Sequence, residues 1–165
     1  MSDLSSLAPD LLRDLERFQR ELSTVRRFRR AGRASLHKFV LILAVLDLFE
    51  NGTLTDNKIL FNAHLKERFD HHFQRFCRDG DWRQAAPPFF HLRTAPFWEL
   101  APLDGREVAY ATLSTSGGGY RRIVENVAYA YFADYAYRVV SDRIARSHLR
   151  NWIEETLWNE WRASF

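Results

Sequence analysis

The stretch SLHKFVLILAVLDLFENG, residues 35–52, decides the fold. Ser35 is placed to cap a helix. An unbroken apolar run follows over residues 39–46, and Leu36, Leu48 and Phe49 extend it. A helix that is apolar on every side has to be enclosed by other elements. Asn51-Gly52 stops it. The run falls well short of the roughly 20 residues that cross a bilayer, so it predicts the central buried helix of a globular domain with no membrane segment. His37 and Lys38 are polar and sit in its first turn, which predicts that this end reaches an exposed rim. The free amides of a helix start can also hold a phosphate.

Upstream, Pro9 and Asp10 suit a first helical turn. Leu11, Leu12, Leu15, Phe18, Leu22 and Val25 then recur at helical spacing. The pattern predicts an N-terminal helix within residues 1–31, running to about Arg30 and ending near Gly32. Downstream, Thr55 or Asp56 can cap a third helix with a stripe of Ile59, Leu60, Leu65, Phe69, Phe73 and Phe76. Residues 78–88 read as a loop. Residues 89–93, 97–100 and 108–113 read as three short strands of an antiparallel sheet. STSGGG, residues 114–119, reads as a flexible loop. Residues 121–165 read as C-terminal helices, the last beginning near Ser147. The sum is a single domain over residues 1–165, α+β and mostly helical, with a small antiparallel sheet packed on a buried central helix.

Composition agrees with one domain. The chain has 165 residues, 46% of them hydrophobic and 27% charged, enough to bury a core. The lone Cys77 cannot form an internal disulfide. The opening MSDLSSLAPD has neither a basic start nor an apolar run. Both favour a cytoplasmic protein without a signal peptide. The net charge is +3, and 21 of the 24 basic residues are arginine. Arg26, Arg27, Arg29, Arg30, Arg33 and Lys38 put six positive charges into thirteen residues with no acid among them. That is a footprint for a polyanion. Cations also suit the negative end of a helix, so a solvated helix end accounts for the same cluster.

Signatures of catalysis are weak. No HExxH, paired CxxC or EF-hand loop occurs, and no cofactor is expected. The neighbours His71 and His72 would point about 100° apart on a helix. Cys77 lies between Arg75 and Arg78, which can lower a thiol pKa, but it also closes an apolar stripe. An enzyme built on His71, His72 and Cys77 is the third reading in rank. Residues 86–100, APPFFHLRTAPFWEL, combine rings, prolines, His91 and Arg93. As strands they would turn Phe90 and Leu92 to one face and Phe89, His91 and Arg93 to the other. The three glycines before Tyr120, Arg121 and Arg122 would let backbone approach a nucleic acid closely.

Three segments together are similar to a known family: LHKFVLILAVLDLFENG (36–52), NKILFNAHLKERFDHHF (57–73) and PPFFHLRTAPFWEL (87–100). They resemble the N-terminal, sulfur-binding domain of modification-dependent HNH restriction endonucleases, which recognises phosphorothioate DNA. The resemblance covers about residues 26–119. It implies that Lys38, following His37, lies along the sulfur and that Pro88 belongs to an apolar pocket wall. Pro87 stands where the family has Tyr, Phe39 where it often has Pro, and Ala95-Pro96 where it has Asp-Gly. The implied site is His37, Lys38, Pro87, Pro88, Phe89, His91 and Arg93 for sulfur and DNA. Arg26, Arg27, Arg29, Arg30, Arg33, Tyr120, Arg121 and Arg122 are expected to hold phosphates. The implied partner is double-stranded DNA carrying phosphorothioate. No metal and no catalytic residue is implied. Any cleavage would belong to an HNH nuclease domain or partner, with this chain a reader in restriction or bacterial defence, monomeric or homodimeric. The rival reading is a protein-interaction subunit of a defence complex that does not touch DNA. Trp152, Trp158 and Trp161 would form its interface.

Overall fold

The computed structural model describes residues 3–30, 32–113 and 118–165, with Arg30 described by its backbone alone. The first long helix, α1 (Pro9–Thr24), has Pro9 at its start and Asp10 in its first turn, and it buries Leu15, Phe18 and Leu22. It stops well before the expected Arg30. Ser23 and Thr24 donate their hydroxyls to the carbonyls of Arg20 and Glu21, at 2.6 and 3.0 Å. These bonds satisfy acceptors that a continued helix would have used. Continuation would also have set four arginines on adjacent turns, where like charges repel. The basic cluster is therefore not a helix end. It occupies an extended segment and a minimal hairpin of β1 (Arg29–Arg30) and β2 (Arg33–Ala34). Gly32, at φ 76°, supplies the left-handed conformation there.

The apolar run forms α2 (His37–Glu50), and every residue from 39 to 46 is buried. Fully burying one such aliphatic or aromatic side chain is worth about 1.5–3 kcal/mol, so this helix is the main anchor of the core. Leu36, not Ser35, holds the N-cap position. Helix α3 (Ala63–Phe76) packs beside α2 and buries Leu65, Phe69, His72, Phe73 and Phe76. It begins later than expected. Asn62 caps it by accepting from the Leu65 amide at 3.1 Å, and the residues before it are recruited elsewhere. Ile59 exchanges two 2.8 Å backbone bonds with Ala130. Asn57 uses its side-chain amide to bond both the N–H and the C=O of Phe132 at 2.8 Å.

Residues 89–93 are helical rather than extended. Helix α4 (Ala86–His91) continues into a 3-10 turn, Leu92–Thr94. Pro87 and Pro88 lie in its first turn, where a missing N–H breaks no helical bond. Phe89, Phe90 and Leu92 all turn inward. The sheet has two strands, not three. β3 (Trp98–Pro102) pairs antiparallel with β4 (Val127–Phe132), Trp98 opposite Phe132 and Leu100 opposite Ala130. Between them, residues 108–113 fall largely in a short helix, α5 (Glu107–Ala111), followed by α6 (Tyr120–Asn126). The expected helix over residues 127–132 is β4, drawn into the sheet by the ladder to β3 and by Ile59. Helices α7 (Asp134–Ser141) and α8 (Arg143–Arg162) close the fold. Helix α8 starts before Ser147 because the Asp142 carboxylate caps the amides of Ile144 and Ala145, at 3.0 and 2.9 Å.

The architecture is thus α+β, mostly helical, with one small antiparallel sheet beyond the minimal hairpin among the described residues. Phe18 of α1 meets Phe97 and Phe132, at ring separations of 4.8 and 5.8 Å, and Trp98 stands edge-on to Phe89 at 5.7 Å. These rings join the sheet to the helices in one continuous core. Among the described residues, no helix is long and apolar enough to cross a membrane.

Candidate polyanion-binding cleft

Three stretches meet where α2 begins: the segment after α1, the first turn of α2, and the loop leading into α4. They enclose a cleft of about 710 Å³. Arg26, Arg27 and Phe28 come from the first stretch, and Ser35, His37 and Lys38 from the second. Trp82, Gln84, Pro87, Pro88, His91, Arg93 and Thr94 come from the third. Among the described residues, no aspartate or glutamate lines it. Four basic side chains and two histidines thus share one concavity with two prolines.

The cations are held differently. Arg27 is a strut. Its guanidinium makes a two-pronged bond to Glu160 of α8, at 2.6 and 2.8 Å, donates to the Ser35 carbonyl at 2.8 Å, and lies 4.3 Å over the Phe39 ring. Its charge is largely consumed. Lys38 donates its ammonium to the Arg26 carbonyl, which ties α2 to the basic segment and lays the lysine stem along the cleft. Arg93 donates to the Phe90 carbonyl at 3.2 Å and stacks 3.9 Å over the Phe90 ring. Arg26 is exposed. Among the described residues, no acid lies within ion-pair distance of Arg26, Lys38 or Arg93.

Burial first, and the crowding of like charge second, marks the titrating groups. Burial, then the charges of Arg26 and Arg27, lowers the Lys38 pKa below its ordinary value. Burial, then Lys38, Arg93 and Arg26, lowers that of His91. An incoming anion would offset the like-charge part of both shifts. His37 is positioned at both ring nitrogens: Nδ1 meets Ser35 Oγ at 2.6 Å, and Nε2 meets the Trp82 carbonyl. It pins the 78–85 loop to the start of α2.

A smaller cavity of about 220 Å³ adjoins the cleft and shares Phe28, Ser35, His37 and Trp82 with it. Arg33, Arg78, Asp79, Gly80 and Asp81 complete its lining. Arg78 is buried against Asp81 at 3.4 Å and donates to the Ala34 carbonyl at 2.8 Å.

Of the expected site residues, the fold gathers Arg26, Arg27, His37, Lys38, Pro87, Pro88, His91 and Arg93 into the cleft. Others fall elsewhere. Phe89 is fully buried, as its helical position requires, packed on Phe61 and Trp98. Arg29 is exposed and donates to the Gly32 carbonyl at 3.2 Å, and Arg33 lines the smaller cavity. The Arg30 side chain and residues 114–117 of the glycine loop lie outside the described residues. Tyr120 packs on Phe61 at 5.3 Å with the Lys66 ammonium 4.2 Å from its ring. Arg121 pairs with Glu125 at 2.9 Å. Arg122 lines a separate groove with Arg106 and Asn126. These three are not part of the cleft.

Sequence reasoning missed Phe28 and Trp82, which are 77% and 72% exposed. The signal was present: a phenylalanine inside RRFRR and a tryptophan inside DGDWR belong to no apolar periodicity. At the other candidate centre, the side chains of His72 and Cys77 have hydrogen-bond partners within the fold. His72 is buried, with Nε2 2.6 Å from Asp47 and Nδ1 2.9 Å from Arg75 Nη1. An arginine can only donate, so Nδ1 accepts and Nε2 carries the proton shared with Asp47. Both nitrogens are engaged, and no cluster of three or more metal-ligating side chains occurs among the described residues. Cys77 donates its thiol to the Gln74 carbonyl at 3.7 Å. Trp152 and Trp158 are half-buried against Phe39 and Phe76, at 6.1 and 4.6 Å, and Trp161 packs on Trp158.

No family model matches the chain, and no curated protein matches it.

Proposed function

We propose that the chain is a DNA-reading domain that recognises phosphorothioate-modified duplex through the cleft at the start of α2. One observation carries the reading: Arg26, Lys38 and Arg93 converge there with no acid beside them, against a wall that includes Pro87 and Pro88. Cations without an acid partner in one concavity fit a phosphate backbone, which supplies most of the affinity in such complexes. The half-buried Pro87 and the lysine stem offer C–H surface, while Pro88 lines the cleft but is itself buried. Sulfur is larger and more weakly hydrated than oxygen, so it loses less on entering such a surface. The charge of the cleft gives affinity, and its apolar wall gives preference. The role is recognition, with any strand cleavage left to a separate nuclease.

The test is a titration of two duplexes, identical except for one phosphorothioate, at two salt concentrations. The expected result is tighter binding of the sulfur duplex. Lys38→Ala and Pro88→Ala should weaken the sulfur duplex more than the plain one. Equal losses on both remove the sulfur preference and leave general DNA binding. No binding of either duplex at low salt removes the reading, and the half-buried tryptophans of α8 then become the surface to test for a protein partner.

A further inference from the structure

We infer that the smaller cavity beside the cleft is a receptor for one unpaired nucleobase of the polynucleotide, with Phe28 and Trp82 as its stacking platforms. The inference rests on the cleft holding a nucleic acid backbone. The two cavities differ in charge although they share an edge. The cleft contains no carboxylate, whereas the smaller cavity contains Asp79 and Asp81. A phosphate is suited to the first; in the second Arg33 and Arg78 balance the two carboxylates and leave no excess positive charge to draw one. What the second offers is a ring-lined space with both acceptors and donors, Asp79 and Arg33 among them. A neutral, flat, hydrogen-bonding group fits that chemistry. Its volume of about 220 Å³ would hold about seven waters. That exceeds what a simple ion needs and lies below the ~300–1,000 Å³ of sites for drug-sized ligands.

The rings are the second observation. Phe28 and Trp82 line both cavities and remain largely exposed. Among the described residues, neither packs on another ring or a cation, unlike the indoles of Trp98, Trp152, Trp158 and Trp161. Their backbones are nevertheless fixed. The Phe28 carbonyl accepts from the Ser35 amide at 2.7 Å, and the Trp82 carbonyl meets His37 Nε2. Rings on anchored backbone, bare at the mouth of a cationic cleft, are suited to stack on bases. A base leaves its helix most cheaply where it is already unpaired.

The experiment compares three duplexes: fully paired, with one bulged adenine, and with the same bulge lacking its base. Wild-type protein should bind the adenine bulge about tenfold tighter than the paired duplex, and the baseless bulge should gain nothing. Because Phe28 and Trp82 also line the cleft, the readout is the ratio of bulged to paired affinity measured on each variant. Trp82→Ala and Phe28→Ala should each erase most of that roughly tenfold ratio, whatever either costs the paired duplex. Both residues are exposed, so the variants keep the core intact. Equal binding of all three duplexes by wild type overturns the base receptor and leaves the cleft reading standing. So does a preference that the baseless bulge shares or that survives both substitutions. Failure to bind any duplex overturns both.

Discussion

Arginine serves two opposite purposes in this molecule. Where α2, α3 and α8 meet, every arginine faces an acid. Asp47 accepts from Arg68 and His72, at 2.8 and 2.6 Å, and pairs with Arg150 at 2.7 Å. Glu154 takes Arg75 at 3.3 Å. Burial alone would raise the Asp47 pKa. The His72 hydrogen bond, with Arg150 and Arg68, outweighs it and holds the carboxyl well below the usual carboxylate range. At the rim of α2, roughly a helix length away in sequence, Arg26, Lys38 and Arg93 have only carbonyls and a ring for company. A fold that pairs its charges so thoroughly in one place has the acids to do so in another. Charge left unpaired in a cleft costs stability through self-repulsion and is kept where something outside the chain completes it.

The contrast breaks most visibly at Asp47. Asp47→Ala strands His72, Arg68 and Arg150 without their shared acceptor and should cost about 3 kcal/mol of stability, read by urea denaturation. The surviving folded protein should bind DNA as before. Stability from Asp47 is fully present above its unfolded value of 3.8. It is lost as pH falls below that toward the depressed folded value. Wild-type protein should therefore lose stability below about pH 4 more steeply than Asp47→Ala. A variant as stable as wild type at neutral pH would show that the paired interface contributes nothing.

Arg26 and Arg27 sharpen the comparison because they are neighbours assigned to different sides of it. Arg27→Ala removes a strut bonded to Glu160 and Ser35 and should destabilise by about 2 kcal/mol. Arg26→Ala should leave stability within about 0.5 kcal/mol. It should lower DNA affinity and reduce the slope of log affinity against log salt by about one. If the two exchange roles, with Arg26 the stabiliser and Arg27 the salt-dependent contact, the division drawn here is wrong.

The sequence revealed the parts of this division unevenly. The buried helix was legible because residues 39–46 admit no other reading, and its polar first turn correctly located the rim. The convergence of Lys38 with Pro87, Pro88, His91 and Arg93 followed from resemblance; their spacing alone does not give it. The elements that went astray share one cause, which is competition from distant partners. Residues 127–132 have helical neighbours on both sides, yet Ile59, Asn57 and β3 supply a ladder that only an extended chain can join. Residues 78–88, the Pro87-Pro88 pair included, read as a loop, although a proline in a first turn starts a helix as readily as it stops one. Arg27 looked like one more phosphate contact, because its partner Glu160 lies 133 positions further along the chain. Phe28 and Trp82 escape a search for apolar periodicity, since their only signal is that they stand outside it, among charged neighbours.

The smallest expected effect is the finest probe of the rim. In the free protein, burial and the charges of Lys38, Arg93 and Arg26 keep the His91 pKa below its ordinary 6.5. The unfolded chain then binds the proton more readily. His91 therefore withdraws stability as pH falls from about 6.5 toward the lowered value. A polyanion in the cleft reverses the local field, because its phosphates favour the imidazolium that the cations oppose. Binding should then take up a proton at His91. Affinity for duplex should rise by about threefold between pH 7.5 and 6 beyond any change seen with His91→Gln. Calorimetry in two buffers of different ionisation heat should show that uptake directly. If wild type and His91→Gln follow the same pH course and take up the same protons, the anion does not sit beside His91. The unpaired charge of the rim would then need another explanation than a bound backbone.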